Sequence, residues 1–155
     1  MIAAIVQARL GSSRLLNKVI KPILNQPMIC HILNRLSNSK MLEKIIVAIP
    51  NSDKNSALER ILKQNRALYF FGNEEDVLDR YYKCAIFYNI DIIVRITADD
   101  PFKDSSVIDK AIDIFLENFP DIDYVDNCSY DGSIWATYPE GLDVDVFSFS
   151  CLEKI

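Results

Sequence analysis

The stretch MIAAIVQARLGSSRLLNK, residues 1–18, sets the expected fold of this 155-residue chain. Residues 2–6 are apolar and rich in β-formers, which is typical of a strand buried on both faces of a parallel sheet. Polar and cationic side chains follow at once around Gly11, where the backbone is free to bend sharply. A buried strand that ends in a glycine turn full of hydrogen-bond donors and cations predicts a cradle for a polyphosphate.

Two well-known phosphate-binding loops are excluded by the same stretch. The P-loop needs Gly-Lys-Ser/Thr after an earlier glycine, and the dinucleotide fingerprint needs three spaced glycines, whereas residues 7–18 contain a single glycine. A basic surface turn after a first strand is the alternative for any one arginine or serine here. The complete string, placed directly after the first strand, favours the cradle.

Composition and charge narrow the class of protein. Half of the residues are hydrophobic and a quarter are charged, which predicts one soluble globular domain over residues 1–155. The net charge of −5 argues against nucleic acid as a partner, while the cations of the first loop favour a small anionic ligand. No apolar run approaches the roughly 20 residues that span a bilayer, and the start does not resemble a signal peptide, so we expect no membrane contact and a cytoplasmic location.

Apolar runs and helical patterns alternate along the whole chain. Strands are predicted at residues 2–6, 44–49, 67–71, 91–96, 123–125 and 142–149, and helices are predicted to begin at 26–27, 52–53, 72–76 and 105. This order predicts an α/β fold with a mostly parallel sheet and helices on both faces. Ligands of such sheets bind beyond the carboxyl ends of the strands, so the polar turns at 7–18, 72–76 and 97–101 should converge.

Residues 7–23, QARLGSSRLLNKVIKPI, resemble the signature loop of the cytidylyltransferases that activate 3-deoxy-manno-octulosonate and acylneuraminates. The similarity is greatest to the spore coat polysaccharide biosynthesis branch, and it extends to the motifs at 71–82, 95–101 and 139–147. The resemblance implies a Rossmann-like, three-layer nucleotidyltransferase fold. It also implies a Mg²⁺-dependent transferase that moves CMP from CTP to an acidic sugar, releasing pyrophosphate, in surface or spore coat polysaccharide biosynthesis.

The resemblance also implies roles for individual residues. The implied catalytic residues are Arg9, Lys18 and Asp99, and the implied Mg²⁺ ligands are Asp99, Asp143 and Asp145. The implied nucleotide-binding residues are Gln7, Ala8, Arg9, Gly11, Ser12, Ser13, Arg14, Lys18, Asn73, Arg80, Thr97 and Asp99.

Spacing alone leaves other interpretations of these motifs open. Residues 97–101 also suit a helix-entry turn, and Asp76 with Arg80 suits an ion pair within one helix. Asp143 and Asp145 alternate, so they are expected on one face of a strand, as in an exposed edge strand. The four cysteines form no CxxC pair and are expected to be reduced, mostly buried side chains, and His31 is expected to be structural.

Family members usually continue well beyond residue 155, in a segment that completes the acceptor pocket and helps a homodimer to form. Two rival functions therefore stand beside the CTP-dependent enzyme. One is a nucleotidyltransferase that uses another nucleotide or another sugar. The other is a truncated nucleotide-binding remnant without turnover.

Overall fold

The computed structural model describes residues 1–11, 15–128 and 138–154. Its strands and helices, in chain order, are β1 (Ile2–Gln7), β2 (Pro22–Ile23), β3 (Gln26–Pro27), α1 (Met28–Leu36), β4 (Lys44–Pro50), α2 (Ser56–Gln64), β5 (Leu68–Gly72), α3 (Val77–Tyr88), β6 (Ile92–Thr97), α4 (Ser105–Asn118), β7 (Tyr124–Asp126), β8 (Asp145–Ser148) and α5 (Phe149–Glu153). Short 3₁₀ turns at Lys18–Ile20 and Asp53–Asn55 precede β2 and α2.

Six strands form one sheet in the order β5-β4-β1-β6-β8-β7. The strand β1 lies at the centre and pairs in parallel with β4 on one side and β6 on the other, and β5 extends the parallel set. The strand β8 runs antiparallel to both of its neighbours. The predicted mostly parallel α/β sheet is therefore confirmed, with one reversed strand near the edge.

Helices cover both faces of the sheet, which gives the expected three layers. Alternate residues of β1 face opposite ways, so that Val6 packs in one core and Ile5 in the other. The first core also contains buried residues of α1, α2 and α4, and the second contains those of α3 and α5. Apolar positions at helical spacing on each helix supply these contacts.

Three predicted boundaries differ from the structure. Residues 26–27 form a short antiparallel pair with β2 rather than the first turn of a helix, and α1 begins at Met28. The helix predicted to begin at 52–53 is preceded by the 3₁₀ turn Asp53–Asn55, and α2 begins at Ser56. The last strand covers Asp145–Ser148 and not 142–149, because the Ser148 hydroxyl caps α5 by accepting a hydrogen bond from the backbone N–H of Cys151.

Other expectations concern single side chains and membranes. Nε2 of His31 donates to the backbone oxygen of Ile23 at 2.7 Å, which is a structural role. All four cysteines are free thiols; Cys30 and Cys84 are buried, whereas Cys128 and Cys151 are half-buried. No helix in the described part of the chain is both long and apolar enough to cross a membrane.

Candidate functional site

The carboxyl ends of β1, β4, β5 and β6 lie at one edge of the sheet, and the polar loops that follow them meet there. The loop after β1 is held by the loop after β4. The backbone N–H of Ala8 donates to the oxygen of Ala48 at 3.2 Å, and that of Leu10 donates to Oδ1 of Asn55 at 3.1 Å. Asn55 is buried and also donates to the oxygen of Pro50, so it fixes the start of the cationic loop.

An ion pair joins the first loop to the turn after β6. Nζ of Lys18 lies 3.0 Å from Oδ2 of Asp99, although the two residues are 81 positions apart in the chain. Partial burial raises the pKa of Asp99, but the hydrogen bond and charge of Lys18 outweigh burial and hold that pKa below its ordinary value. The ion pair therefore places a cation and an ionised carboxylate side by side at the sheet edge.

The last residues of β1 and β6 are two other predicted nucleotide-binding residues, Gln7 and Thr97, which lie at this edge. Gln7 lies opposite Thr97 in the parallel register, and the oxygen of Gln7 accepts from the backbone N–H of Ala98 at 3.0 Å. Oγ1 of Thr97 donates to Oδ2 of Asp100 at 2.7 Å. These bonds fix the backbone on both sides of the ion pair.

A buried arginine in the first turn of α3 lies next to the turn after β5. Arg80 is fully buried, and its Nη1 donates to the backbone oxygen of Asn73 at 2.6 Å, while its Nε and Nη2 have no hydrogen-bond partner among the described residues. Burial lowers the pKa of Arg80, and the charge of Arg9 adds to that effect. Two buried cationic donors are thus left for an anion or an acceptor atom.

The turn 73–76 is built by its own side chains rather than by an ion pair. Oδ1 of Asn73 accepts from the backbone N–H groups of Glu75 and Asp76, and Asp76 caps α3 by accepting from the N–H of Asp79. The interpretation of Asp76 and Arg80 as an ion pair is not what these contacts show. Arg80 lies close enough to Arg9 for the charge of Arg9 to act on its pKa.

The structure does not bring Asp99, Asp143 and Asp145 to one metal ion. Asp99 pairs with Lys18, Asp143 with Lys103 and Asp145 with Arg95. Within the described ranges, no group of three or more His, Cys, Asp or Glu side chains is placed to hold a metal. The expectation that Asp143 and Asp145 share one strand face is wrong, because β8 begins only at Asp145.

Asp99 and Asp145 differ in how well they could bind Mg²⁺, which prefers accessible oxygen ligands. The carboxylate of Asp145 is 4% exposed, and its two oxygens accept from Arg95 at 2.5 Å and from the hydroxyl of Tyr124. Asp99 is half-exposed at the edge and fits a metal ligand, since its one ion-pair partner is a flexible lysine. Asp145 does not fit.

Three predicted phosphate-binding residues, Ser12, Ser13 and Arg14, lie outside the described residues. Of the others, Arg9 and Gly11 are exposed at the edge and Ala8 is buried beneath them. Asn55 and Lys103 were missed by sequence reasoning. An asparagine before a helix and a lysine after Asp-Asp-Pro-Phe carry no pattern that reveals what they bind.

An apolar cavity of about 340 Å³ lies on the α3 face of the sheet, next to this edge. Its walls come from α3, α5 and the strands β6, β7 and β8, and the lining side chains with polar atoms are Tyr81, Arg95, Tyr124 and Cys151. Neither Lys18 nor Asp99 lines the cavity.

Comparison with known proteins decides the family. The family model described as cytidylyltransferase matches residues 3–137, which is most of the chain. The chain belongs to the cytidylyltransferase family. The resemblance drawn from the motifs is thereby confirmed.

Individual relatives of this cytidylyltransferase-family chain include both bacterial and archaeal proteins. An uncharacterized protein of Methanocaldococcus jannaschii is 38% identical over 153 residues, which is 99% of this chain and 59% of the relative. The spore coat polysaccharide biosynthesis protein SpsF of Bacillus subtilis is 30% identical over 130 residues, 81% of this chain and 54% of the relative. The chain thus spans less than two thirds of the length of either relative.

Solved structures give the same fold. A cytidylyltransferase from Leptospira borgpetersenii has 36% identity and a TM-score of 0.90, with 99% of this chain and 62% of that chain covered. A CMP:2-keto-3-deoxy-manno-octonic acid synthetase complexed with CTP has a TM-score of 0.78 at 15% identity, covering 99% and 76%, and so shows the fold alone. The Rossmann-like nucleotidyltransferase architecture of this chain is therefore established.

Proposed function

We propose that this chain carries the nucleotide site of a Mg²⁺-dependent cytidylyltransferase that transfers CMP from CTP to an acidic sugar. The observation that supports the proposal most strongly is the Lys18–Asp99 pair at the carboxyl edge of a family-typical sheet. A cation for phosphates and a carboxylate for a metal stand 3.0 Å apart there. The whole-protein activity is a proposal, because the chain spans 59% and 54% of the two curated relatives.

The proposed reaction needs no protein nucleophile. A hydroxyl oxygen of the acceptor sugar forms a bond to the α-phosphorus of CTP as it loses its proton, the bond from that phosphorus to the bridging oxygen breaks, and pyrophosphate leaves. The barrier is dominated by charge that builds on phosphate oxygens, so catalysis is positioning plus electrostatic stabilisation. Side chains of the first loop and of the turn after β6 are suited to both tasks.

Arg9 and Lys18 are assigned to the phosphates. Arg9 is exposed and close enough for its charge to lower the pKa of the buried Arg80, whose Nε and Nη2 have no partner among the described residues and are further donors. With CTP bound, Lys18 would pair with a phosphate oxygen in place of Asp99, and Asp99 would then be free to hold Mg²⁺. Bound Mg²⁺ would neutralise phosphate charge and hold the triphosphate in one geometry.

The names of the relatives support a proposal for the acceptor and the biological setting. Several relatives are named 3-deoxy-manno-octulosonate cytidylyltransferase, one of them 30% identical over 117 residues, and SpsF is named for spore coat polysaccharide biosynthesis. We therefore propose a sugar acid as acceptor, a cytoplasmic role in the synthesis of a surface or spore coat polysaccharide, and a homodimer as the working form.

The test is pyrophosphate release from CTP in the presence of Mg²⁺ and a panel of sugar acids, with Asp99→Asn compared against Asp113→Asn. Asp113 is an exposed residue of α4, so it controls for loss of one carboxylate. Asp99→Asn should reduce turnover at least about 100-fold without unfolding the protein, because the metal loses its protein ligand. Equal turnover in the two variants would contradict the assignment of Asp99, and nucleotide binding without turnover in the native chain would favour the remnant.

A further inference from the structure

The turn after β6 contains a buried lysine that the proposed reaction does not use. Lys103 is 1% exposed, although it lies in the loop between β6 and α4 at the functional edge. A lysine is almost never fully buried unless its ammonium is paired. The groups that surround this ammonium therefore explain why it is there.

Three oxygen atoms surround Nζ of Lys103. Nζ donates to the backbone oxygen of Asp143 at 2.5 Å and lies 3.2 Å from Oδ2 of Asp100 and 3.7 Å from Oδ2 of Asp143. Two carboxylates and a carbonyl are the donor set that a divalent cation takes in other proteins. Here the ammonium holds that position.

The backbone around Lys103 is held by a side chain of α1. Nε of Arg35, in α1, donates to the backbone oxygen of Lys103 at 2.6 Å, and its Nη2 donates to that of Phe102 at 3.4 Å. Gly141 has a φ of 92°, and a Cβ built there would lie 3.7 Å from Oδ1 of Asp100. The bond from Nζ of Lys103 to the backbone oxygen of Asp143 holds this segment to the turn that carries Asp99.

We propose that Lys103 is a built-in cation, whose ammonium occupies the oxygen-lined position between Asp100 and Asp143. Asp99 is then the carboxylate of this turn that remains open to a divalent ion. Lys103 is thus a positioning residue for the Mg²⁺ site. This inference rests on the proposed function only where it concerns Mg²⁺ with CTP. The position of the ammonium itself is testable without nucleotide.

Removing the charge of Lys103 should convert the position into a divalent-cation site. The variants are Lys103→Met, which keeps the length of the side chain, and Lys103→Gln, which keeps a donor for Asp143. The control is Lys40→Met, a change at an exposed lysine. Thermal unfolding is measured without nucleotide, over a range of MgCl₂ concentrations at constant ionic strength.

In the absence of Mg²⁺, both Lys103 variants should unfold about 5–15 °C below the native chain, because Asp100 and Asp143 lose their shared counter-charge. Added Mg²⁺ should raise the unfolding temperature of both Lys103 variants by more than it raises that of the native chain or of Lys40→Met. If Lys103→Met does not fold, Lys103→Gln alone carries the comparison. The proposal is overturned if Lys103→Gln responds to Mg²⁺ no more than the native chain does.

A second readout separates positioning from general stability. In calorimetric titrations at a temperature where both proteins are folded, Lys103→Gln should weaken binding of CTP with Mg²⁺ more than binding of CTP alone. Equal weakening of the two would contradict a role in positioning Asp99. A native chain that binds no CTP would refute the proposed function, while the Mg²⁺ response in thermal unfolding would still decide the role of Lys103.

Discussion

At the scale of single residues, the site depends on which charged side chains form ion pairs with each other. The sequence motifs name Arg9, Lys18 and Asp99, and the structure brings the last two within 3.0 Å of each other. The motifs could not show that Asp145 forms an ion pair with Arg95. That pairing depends on the antiparallel register of β6 and β8, in which Arg95 lies opposite Asp145.

The Lys18–Asp99 pair makes a prediction about acid. Because the folded-state pKa of Asp99 is lowered, its contribution to stability is present above the ordinary aspartate pKa and is lost as the pH falls through the lowered value. Lys18→Met should raise the pKa of Asp99, since burial then acts without the opposing cation. Carboxyl ¹³C NMR titration of Asp99 measures this directly, and an unchanged pKa would show that the pair does not form in solution.

At the scale of elements, the junction between β5 and α3 requires a glycine, Gly72, because it has no room for a side chain at this position. A Cβ atom at Gly72 would lie 2.6 Å from Cγ and 3.1 Å from Cβ of Arg80. Both are inner atoms of a fully buried side chain, so the helix or the strand must move. The sequence motif contains this glycine, but only the packing of α3 on β5 gives the reason for it.

Gly72→Ala should therefore destabilise the fold by about 1–3 kcal/mol, the usual cost of overpacking. Urea unfolding followed by circular dichroism measures the free energy of unfolding. Gly11→Ala is the matched control for stability, because no atom of the described residues lies within 4 Å of a Cβ built at Gly11. Similar losses in the two variants would contradict the packing argument.

At the scale of the whole molecule, apolar runs and helical spacing predicted the layers and the parallel strands. Four of the strands are apolar runs with one helix between each consecutive pair, and that arrangement leaves few possible topologies. The direction of β8 was not predictable, because alternation of side chains does not specify a strand's partner. In the site, Lys18 and Asp99 meet beyond the parallel strands, whereas Asp145 of β8 is paired with Arg95.

The most direct measurement of the central claim is calorimetric titration of the chain with CTP, with and without Mg²⁺, beside ATP, GTP and UTP. We expect binding that prefers CTP, strengthens with Mg²⁺ and loses that Mg²⁺ dependence in Asp99→Asn. This result would place the nucleotide and the metal at the edge formed by Lys18 and Asp99. Equal binding of all four nucleotides, or no binding of any nucleotide, would contradict a cytidylyltransferase site in this chain.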